Sequence, residues 1–238
     1  KVAAQAGERL IRSTMELGGK TSIIICEDAD FDGAIAGALF SAFVASGQTC
    51  VSGSRFIVHS SIYDRFTDAL AVRADAIVIG DPMAEITQMG PVISKASQVR
   101  CLRMIGKAKA DGAVQIAGLT SPDLTAPFDK GFYIRPTIFK DVQSDHELFL
   151  EEVFGPVISM TPYTTEAEAL ELANTGNFGL GLSIWSRDIA RAHRLSLGVR
   201  GGVVWLNDHH RNDPRSVWGG VRDSGFGKEN GWDALKAY

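Results

Sequence analysis

Ser22-Ile23-Ile24-Ile25-Cys26 is an unbroken apolar, β-branched run between polar residues. A strand with one wet face alternates apolar and polar side chains, whereas one covered on both faces does not alternate. The run therefore reads as a central strand of a largely parallel sheet. Outward from it, the Ala-rich stretch from Gly33 to Gly47 reads as a core helix with apolar residues on every side, capped by Asp28 or Asp30. Arg55 to His59 is the next strand.

The same alternation continues downstream. Ile62, Phe66 and Leu70 recur every four residues, as on a helix face. A helix from about Ser94 to Asp111 places Val99, Leu102 and Ile105 on one stripe, and Gly112 stops it. Strands are expected at Ala113 to Ala117, Phe132 to Phe139, Val157 to Met160, Ser183 to Trp185 and Gly202 to Leu206. Helices are expected after Thr165 and over Asp188 to Leu197, and Glu147 to Phe154 is partly helical. Leu119 to Gly131 is a surface loop, with Pro122, Pro127 and Gly131. Upstream, Val2 to Leu10 is helix-compatible and Ile11 to Glu16 extended. Alternating strands and helices define an α/β fold.

The bulk properties exclude several classes of function. With 45% hydrophobic and 22% charged residues, the 238-residue chain has a globular composition. Its net charge is −4 and it has no basic run, so it offers nothing that tracks phosphates, and no nucleic-acid partner is expected. Its longest apolar stretch falls short of the ~20 residues of a membrane span. Cys26, Cys50 and Cys101 form no CxxC pair and fit free thiols in a reducing compartment, the cytoplasm.

Three stretches carry chemistry. Gly47-Gln48-Thr49-Cys50-Val51-Ser52-Gly53 sets a thiol between glycines, and by itself this is either a buried small hydrophobe or a nucleophile. Met15-Glu16-Leu17-Gly18-Gly19-Lys20 ends an extended segment with a carboxylate, either a general base or a solvated loop acid. Glu151-Glu152-Val153-Phe154-Gly155-Pro156 places two acids before an aromatic and a turn.

Together these stretches resemble the aldehyde dehydrogenase superfamily. Its E-L-G-G-K motif stands at Glu16 to Lys20, and its G-Q-x-C motif at Gly47 to Cys50, 34 residues from Glu16 to Cys50. Further matches are Glu152 to Pro156, Ala173-Asn174 with Phe178-Gly179-Leu180, Asn207, and Trp218-Gly219-Gly220 leading into Asp223 to Lys228. Thr21 and Val217-Trp218 depart from the commoner residues, the latter from Pro-Phe, and neither position is expected to do chemistry. Val44 replaces an aromatic of the family's substrate tunnel.

The resemblance implies a three-layer catalytic domain, with a largely parallel twisted sheet and helices on both faces, over residues 19–238. Residues 1–18 would end a cofactor-binding domain. It implies that Cys50, as thiolate, attacks an aldehyde, that hydride leaves for NAD or NADP, and that Glu16 activates water to hydrolyse the resulting thioester. The Cys50 backbone N–H, at a helix start, would hold the oxyanion. Glu152 would bind the nicotinamide ribose, Phe154 would pack near the nicotinamide, and the Leu17 carbonyl would contact the carboxamide. The implied partners are a small-molecule aldehyde and further copies of the chain in a homodimer or homotetramer.

A thiol esterase or acyl-transfer enzyme using Cys50, and a non-catalytic homologue, are the competing readings. Glu152-Val153-Phe154 opposes the first, and Cys50 with Glu16 the second. Lys1 in place of methionine suggests a fragment, inactive alone, with a C-terminal intersubunit strand also cut short. In Asn207 to Arg215, His210, Arg211 and Arg215 would either attract a carboxylate-bearing aldehyde or form a solvated rim, and the rim is the favoured reading. His209 and His210, adjacent in an extended loop, should point apart and hold no metal.

Overall fold

The computed structural model describes all 238 residues, Lys1–Tyr238. In chain order the elements are α1 (Val2–Glu8), β1 (Met15–Glu16), β2 (Thr21–Ile25), α2 (Phe31–Phe43), β3 (Gly53–His59), α3 (Tyr63–Asp75), α4 (Lys95–Ala110) and β4 (Val114–Ala117). There follow β5 (Thr137–Lys140), α5 (Glu147–Leu150), β6 (Val157–Tyr163), α6 (Glu166–Asn174), β7 (Gly181–Trp185), α7 (Ile189–Gly198), β8 (Val203–Leu206), β9 (Gly225–Phe226) and α8 (Gly231–Ala237).

Seven strands form one sheet in the order β4-β5-β6-β3-β2-β7-β8, with β2 near its middle and buried along its whole length. Ile23 and Ile25 point into a core shared with α2 and α3, and Ile24 into one shared with α6 and α7. Each fully buried isoleucine contributes about 1.5–3 kcal/mol, so neither face of β2 tolerates a polar residue. Farther along the second face, Phe139 and Val157 pack against Cys101 and Met104 of α4 and Leu148 and Phe149 of α5. The result is the expected three-layer arrangement.

All the sheet pairings are parallel except β4 with β5. The connection between those two strands is irregular apart from one 3-10 turn at Phe128–Lys130, and antiparallel neighbours need no helical crossover.

Several local expectations are corrected. Asp30 occupies the N-cap position of α2 but makes no capping side-chain bond. Asp28 instead receives the Ser186 hydroxyl and the Asp188 N–H and pairs with Arg191. Nor is α2 buried all round: its small residues Ala34, Ala38 and Ala42 face the core, while Phe40 is 53% exposed. On α4 the buried face is Ser97, Cys101, Met104 and Ala108, while Val99 and Leu102 are about half exposed. Two stripes at helical spacing compete there. The smaller one wins because Cys101 lies against Gly155, where an added Cβ would come within 2.3 Å of its sulfur.

The extended segment before Glu16 shrinks to the two residues of β1, which leave the main sheet and pair antiparallel with β9. Neither β9 nor α8 is foreseen from hydrophobic period, because both are short and Gly-flanked. No helix is long and apolar enough to cross a membrane.

Arg55 of β3 ties the second face together. Buried to 2% exposure, it donates from Nε to Ser22 Oγ at 2.8 Å, and from its two Nη atoms to the carbonyls of Thr175 at 2.9 Å and Ala173 at 3.1 Å. Its guanidinium lies 4.6 Å over the Phe149 ring. A buried cation is tolerated when its donors are engaged in this way.

Candidate active site

The chain leaves α2 at Phe43 and turns through three successive left-handed residues, Ala45, Ser46 and Gly47, with φ of 50°, 58° and 71°. Ser46 Oγ donates to the Gly90 carbonyl at 2.9 Å, and Gln48 Oε1 accepts the Ile93 N–H at 2.8 Å. The glutamine before Cys50 is thus a brace for the turn. Cys50 follows in a turn closed by Ser52 N–H to Thr49 O at 3.0 Å, leading into β3. The expectation of a helix start at Cys50 is therefore corrected. Its thiol is met by the backbone N–H groups of Cys50 and Val51, both of which favour the thiolate, but they belong to a turn rather than a helix terminus.

Gly47 touches the acidic stretch directly, since a Cβ there would lie 2.4 Å from the Gly155 carbonyl oxygen. Gly47→Ala combines that clash with a left-handed backbone and should destabilise the fold by about 1–3 kcal/mol. A lowered melting temperature together with slower Cys50 alkylation checks this. An unchanged melting temperature contradicts it.

Glu16 is carried by the β1–β9 ladder, where it lies opposite Gly225. Gly225 has φ of 127°, and a Cβ there would sit 1.9 Å from the Met15 carbonyl oxygen, so the ladder requires glycine at this point. Leu17, half exposed, donates its N–H to Ser224 O at 3.2 Å. Trp218 Nε1 donates to Glu16 Oε2 at 2.9 Å, while Oε1 is buried without a partner. Lys228 Nζ caps the carbonyls of Gly219 and Gly220 at 3.0 Å each, beside that carboxylate. Trp218 therefore contacts a candidate catalytic group, which corrects the expectation for this position. The sequence signal was present, as an indole N–H donor where the family more often has phenylalanine.

Glu152 reaches the same place from the far side of the sheet. Its Oε1 accepts the Gly19 N–H at 2.9 Å, and a Cβ on Gly18 would collide with its carboxylate. The Gly18-Gly19 pair is thus the seat of Glu152. Phe154 has φ of 52°, and Arg100 of α4 holds this strained turn by donating to Val153 O at 2.8 Å and Phe154 O at 3.3 Å. Lys20, only 4% exposed, has no hydrogen-bond partner for its Nζ. Burial and the Arg55 charge pull its pKa down to about 7, while Glu152 and Glu151 oppose that pull.

The electrostatics report the convergence of these groups. Burial pushes the Cys50 thiol up, and the charges of Glu16 and Glu152 push it further in the same direction. Burial also raises Glu16, against the Trp218 hydrogen bond, and raises Glu152, against the Gly19 N–H and Lys20. The resting thiol is therefore protonated at neutral pH, and its thiolate fraction grows as pH rises. All three cysteines are free, with Cys26 and Cys101 buried and Cys101 pushed up to about 11 by burial.

At the rim, Arg211 pairs with Asp208 and Arg215 with Asp213, both at 2.9 Å, and both arginines are exposed. Neutralised within the loop, they form a solvated rim. The two histidines differ from expectation. His210 has φ of 70°, which brings its ring to 5.8 Å from that of His209 instead of to the opposite side. His209 is buried between Ser183 Oγ and the Val51 carbonyl, and His210 lies 3.1 Å from Thr49 Oγ1, so the pair brackets Cys50. Burial pulls the His209 pKa down to about 4, leaving it neutral at neutral pH. Asn207 is structural, exchanging hydrogen bonds with the Ser186 backbone at the end of β7.

Three stretches far apart in sequence thus place a thiol and two carboxylates around one Gly-lined turn, and the whole chain, residues 1–238, matches the aldehyde dehydrogenase family. The chain belongs to the aldehyde dehydrogenase family. It is 43% identical to a betaine aldehyde dehydrogenase of Brucella anthropi and 42% identical to one of Brucella melitensis, over all 238 residues and 49% of each relative. Its fold superposes on a crystal structure of betaine aldehyde dehydrogenase from Staphylococcus aureus in complex with NAD+, with a TM-score of 0.96 and 36% identity. That match covers 100% of this chain and 48% of the crystallised one. The chain spans about half the length of the aldehyde dehydrogenases it matches.

Proposed function

We propose that this chain is the catalytic part of an NAD(P)-dependent aldehyde dehydrogenase, residues 1–18 ending a cofactor-binding domain and residues 19–238 forming the catalytic domain. The observation that carries the reading is the convergence of Cys50, Glu16 and Glu152, with the charge of each carboxylate felt at the thiol.

The cofactor is tested against the residues that would hold it. Glu152 has one oxygen fixed by the Gly19 N–H and the other left to accept hydroxyl groups, as a ribose diol requires. The bare Gly18-Gly19 backbone and the half-exposed Leu17 lie beside it, and Phe154 is held by Arg100. These residues fit a nicotinamide nucleotide, with Glu152 binding the ribose and Leu17 and Phe154 lining its nicotinamide end. When bound, the nicotinamide supplies the acceptor for the hydride.

The protein's own groups do the rest. The Cys50 thiolate adds to the aldehyde carbonyl, and the N–H groups of the Cys50 turn stabilise the oxyanion. After oxidation a thioester remains on Cys50. Glu16 takes a proton from water, the water oxygen attacks the thioester carbon, and the thiolate leaves, releasing a carboxylic acid.

The substrate class is a small aldehyde. The relatives' names make betaine aldehyde the first to assay, and the neutralised Arg211 and Arg215 argue against an acidic one. Assembly as a homodimer or homotetramer is part of the same reading and rests on the family resemblance. Three unpaired thiols favour the cytoplasm.

The test is aldehyde-dependent reduction of NAD+ or NADP+ by the whole enzyme, with betaine, aliphatic, aromatic and acidic aldehydes compared. No reduction with any of them refutes the proposal. Within it, Glu152→Gln should raise the KM for the cofactor about tenfold, the worth of one charged hydrogen bond. Acylation of Cys50 by an activated ester, which needs no cofactor, should not be slowed, since removing the Glu152 charge only eases thiolate formation. An unchanged cofactor KM removes Glu152 from its role.

A further inference from the structure

We propose that Trp218 is a positioning residue for Glu16: its indole N–H fixes one carboxylate oxygen and so sets the orientation of the base that takes the proton of the attacking water. The inference rests on the role proposed above for Glu16 and adds to it the element that aims the base.

The geometry is specific. The 2.9 Å bond from Nε1 to Oε2 occupies one oxygen, and Oε1 is the one that has no donor. Oε1 lies over Gly219, where an added Cβ would approach it to 3.0 Å, so only glycine leaves it room. The indole is itself held in place. Its ring packs on Trp205 with centroids 6.2 Å apart, and Trp205 packs on His209 at 4.8 Å. Trp205 Nε1 is anchored on the Arg211 carbonyl at 2.7 Å, and His209 on that of Val51 at 2.8 Å. An unbroken line of rings therefore runs from the residue after Cys50 to the donor on Glu16. A phenylalanine at position 218 would fill the ring's place in that line but offer no N–H.

In the step so prepared, a C–O bond forms between water and the thioester carbon while one water proton passes to the Glu16 carboxylate. The C–S bond then breaks, the electron pair leaving with the Cys50 sulfur. No oxidant or reductant is consumed, and the proton returns to solvent from Glu16.

Burial raises the Glu16 pKa, and the Trp218 N–H, with the Gly220 backbone N–H, opposes that rise by stabilising the charged form. The other charged groups around Glu16 are Glu229, which opposes ionisation, and Lys228, which favours it.

The experiment is Trp218→Phe in the whole enzyme, with the rate of acyl-enzyme hydrolysis followed against pH. The expected result is an acidic limb moved to higher pH and hydrolysis at its foot slowed about tenfold, the worth of a hydrogen bond to a charged group. An acidic limb in the wild-type position, with Glu16→Gln abolishing that limb, overturns the role of Trp218 alone. Glu16→Gln with an unaltered limb overturns the role of Glu16 and this inference with it. Should Trp218→Phe fail to fold, the indole N–H resonance of Trp218 in the wild-type enzyme decides instead. Its chemical shift should titrate with Glu16 and lose that titration in Glu16→Gln, and a shift independent of pH overturns the inference.

Discussion

Cys50→Ala should abolish aldehyde oxidation, lowering turnover by about 10⁵-fold or more, as removal of an enzyme's covalent nucleophile does. No other thiol can take its place. Cys26 and Cys101 are buried at 1% and 0% exposure, and burial holds both in the protonated form. The substitution removes one sulfur from a half-buried turn whose braces, Ser46 to Gly90 and Gln48 to Ile93, do not involve it, so the fold should persist. Steady-state reduction of cofactor together with the intact mass after exposure to an activated ester checks the prediction. The wild-type chain should gain one acyl group and the variant none. A variant that still acylates would move the nucleophile elsewhere. Because burial and two carboxylates push the Cys50 thiol up, acylation of the wild type should accelerate as pH rises through the neutral range.

How far such a site can be read from sequence depends on which contacts define it. β2 was legible because three successive isoleucines can be buried only where both faces of a strand are covered. The thiol and the two carboxylates were legible as motifs, since each lies in a short glycine-containing stretch whose residue types survive without knowledge of the fold. What escaped was everything decided by tertiary partners. The buried face of α4 is not legible because Val99 and Leu102 form as good a stripe as Cys101, Met104 and Ala108, and the choice falls to tertiary neighbours, Gly155 against Cys101 with Phe139 and Phe149. The histidine pair escapes the alternation rule because φ of 70° at His210 breaks the strand geometry on which that rule rests. Trp218 stands out in the sequence only as a departure without expected chemistry, because its partner is a carboxylate 202 positions away, 2.9 Å from its nitrogen. Lys20 ends a motif, and nothing local announces that its ammonium is buried without a partner.

Glu16→Gln separates the two halves of the reaction. The amide is isosteric and its oxygen can still accept the Trp218 N–H, so the site should keep its shape, but it cannot take a proton from water. Acylation and the first burst of reduced cofactor should remain, while turnover falls about 10²–10⁴-fold, the contribution of a general base. The acyl-enzyme should then accumulate and be visible by intact mass. Two pH effects of opposite kind accompany this. In the wild type, Glu16 works only when ionised, and burial raises its pKa above the ordinary carboxylate range. Turnover should therefore fall as pH drops through that raised value, and the Gln variant should lack this limb. The charge of Glu16 also holds the Cys50 thiol up, so its removal should let the thiolate form at lower pH. Alkylation of Cys50 should thus become faster at a given pH in the same variant whose turnover has collapsed. A general loss of structure would expose Cys26 and Cys101 to alkylation as well, which a change confined to Cys50 would not, and wild-type turnover in Glu16→Gln would remove the carboxylate from the mechanism.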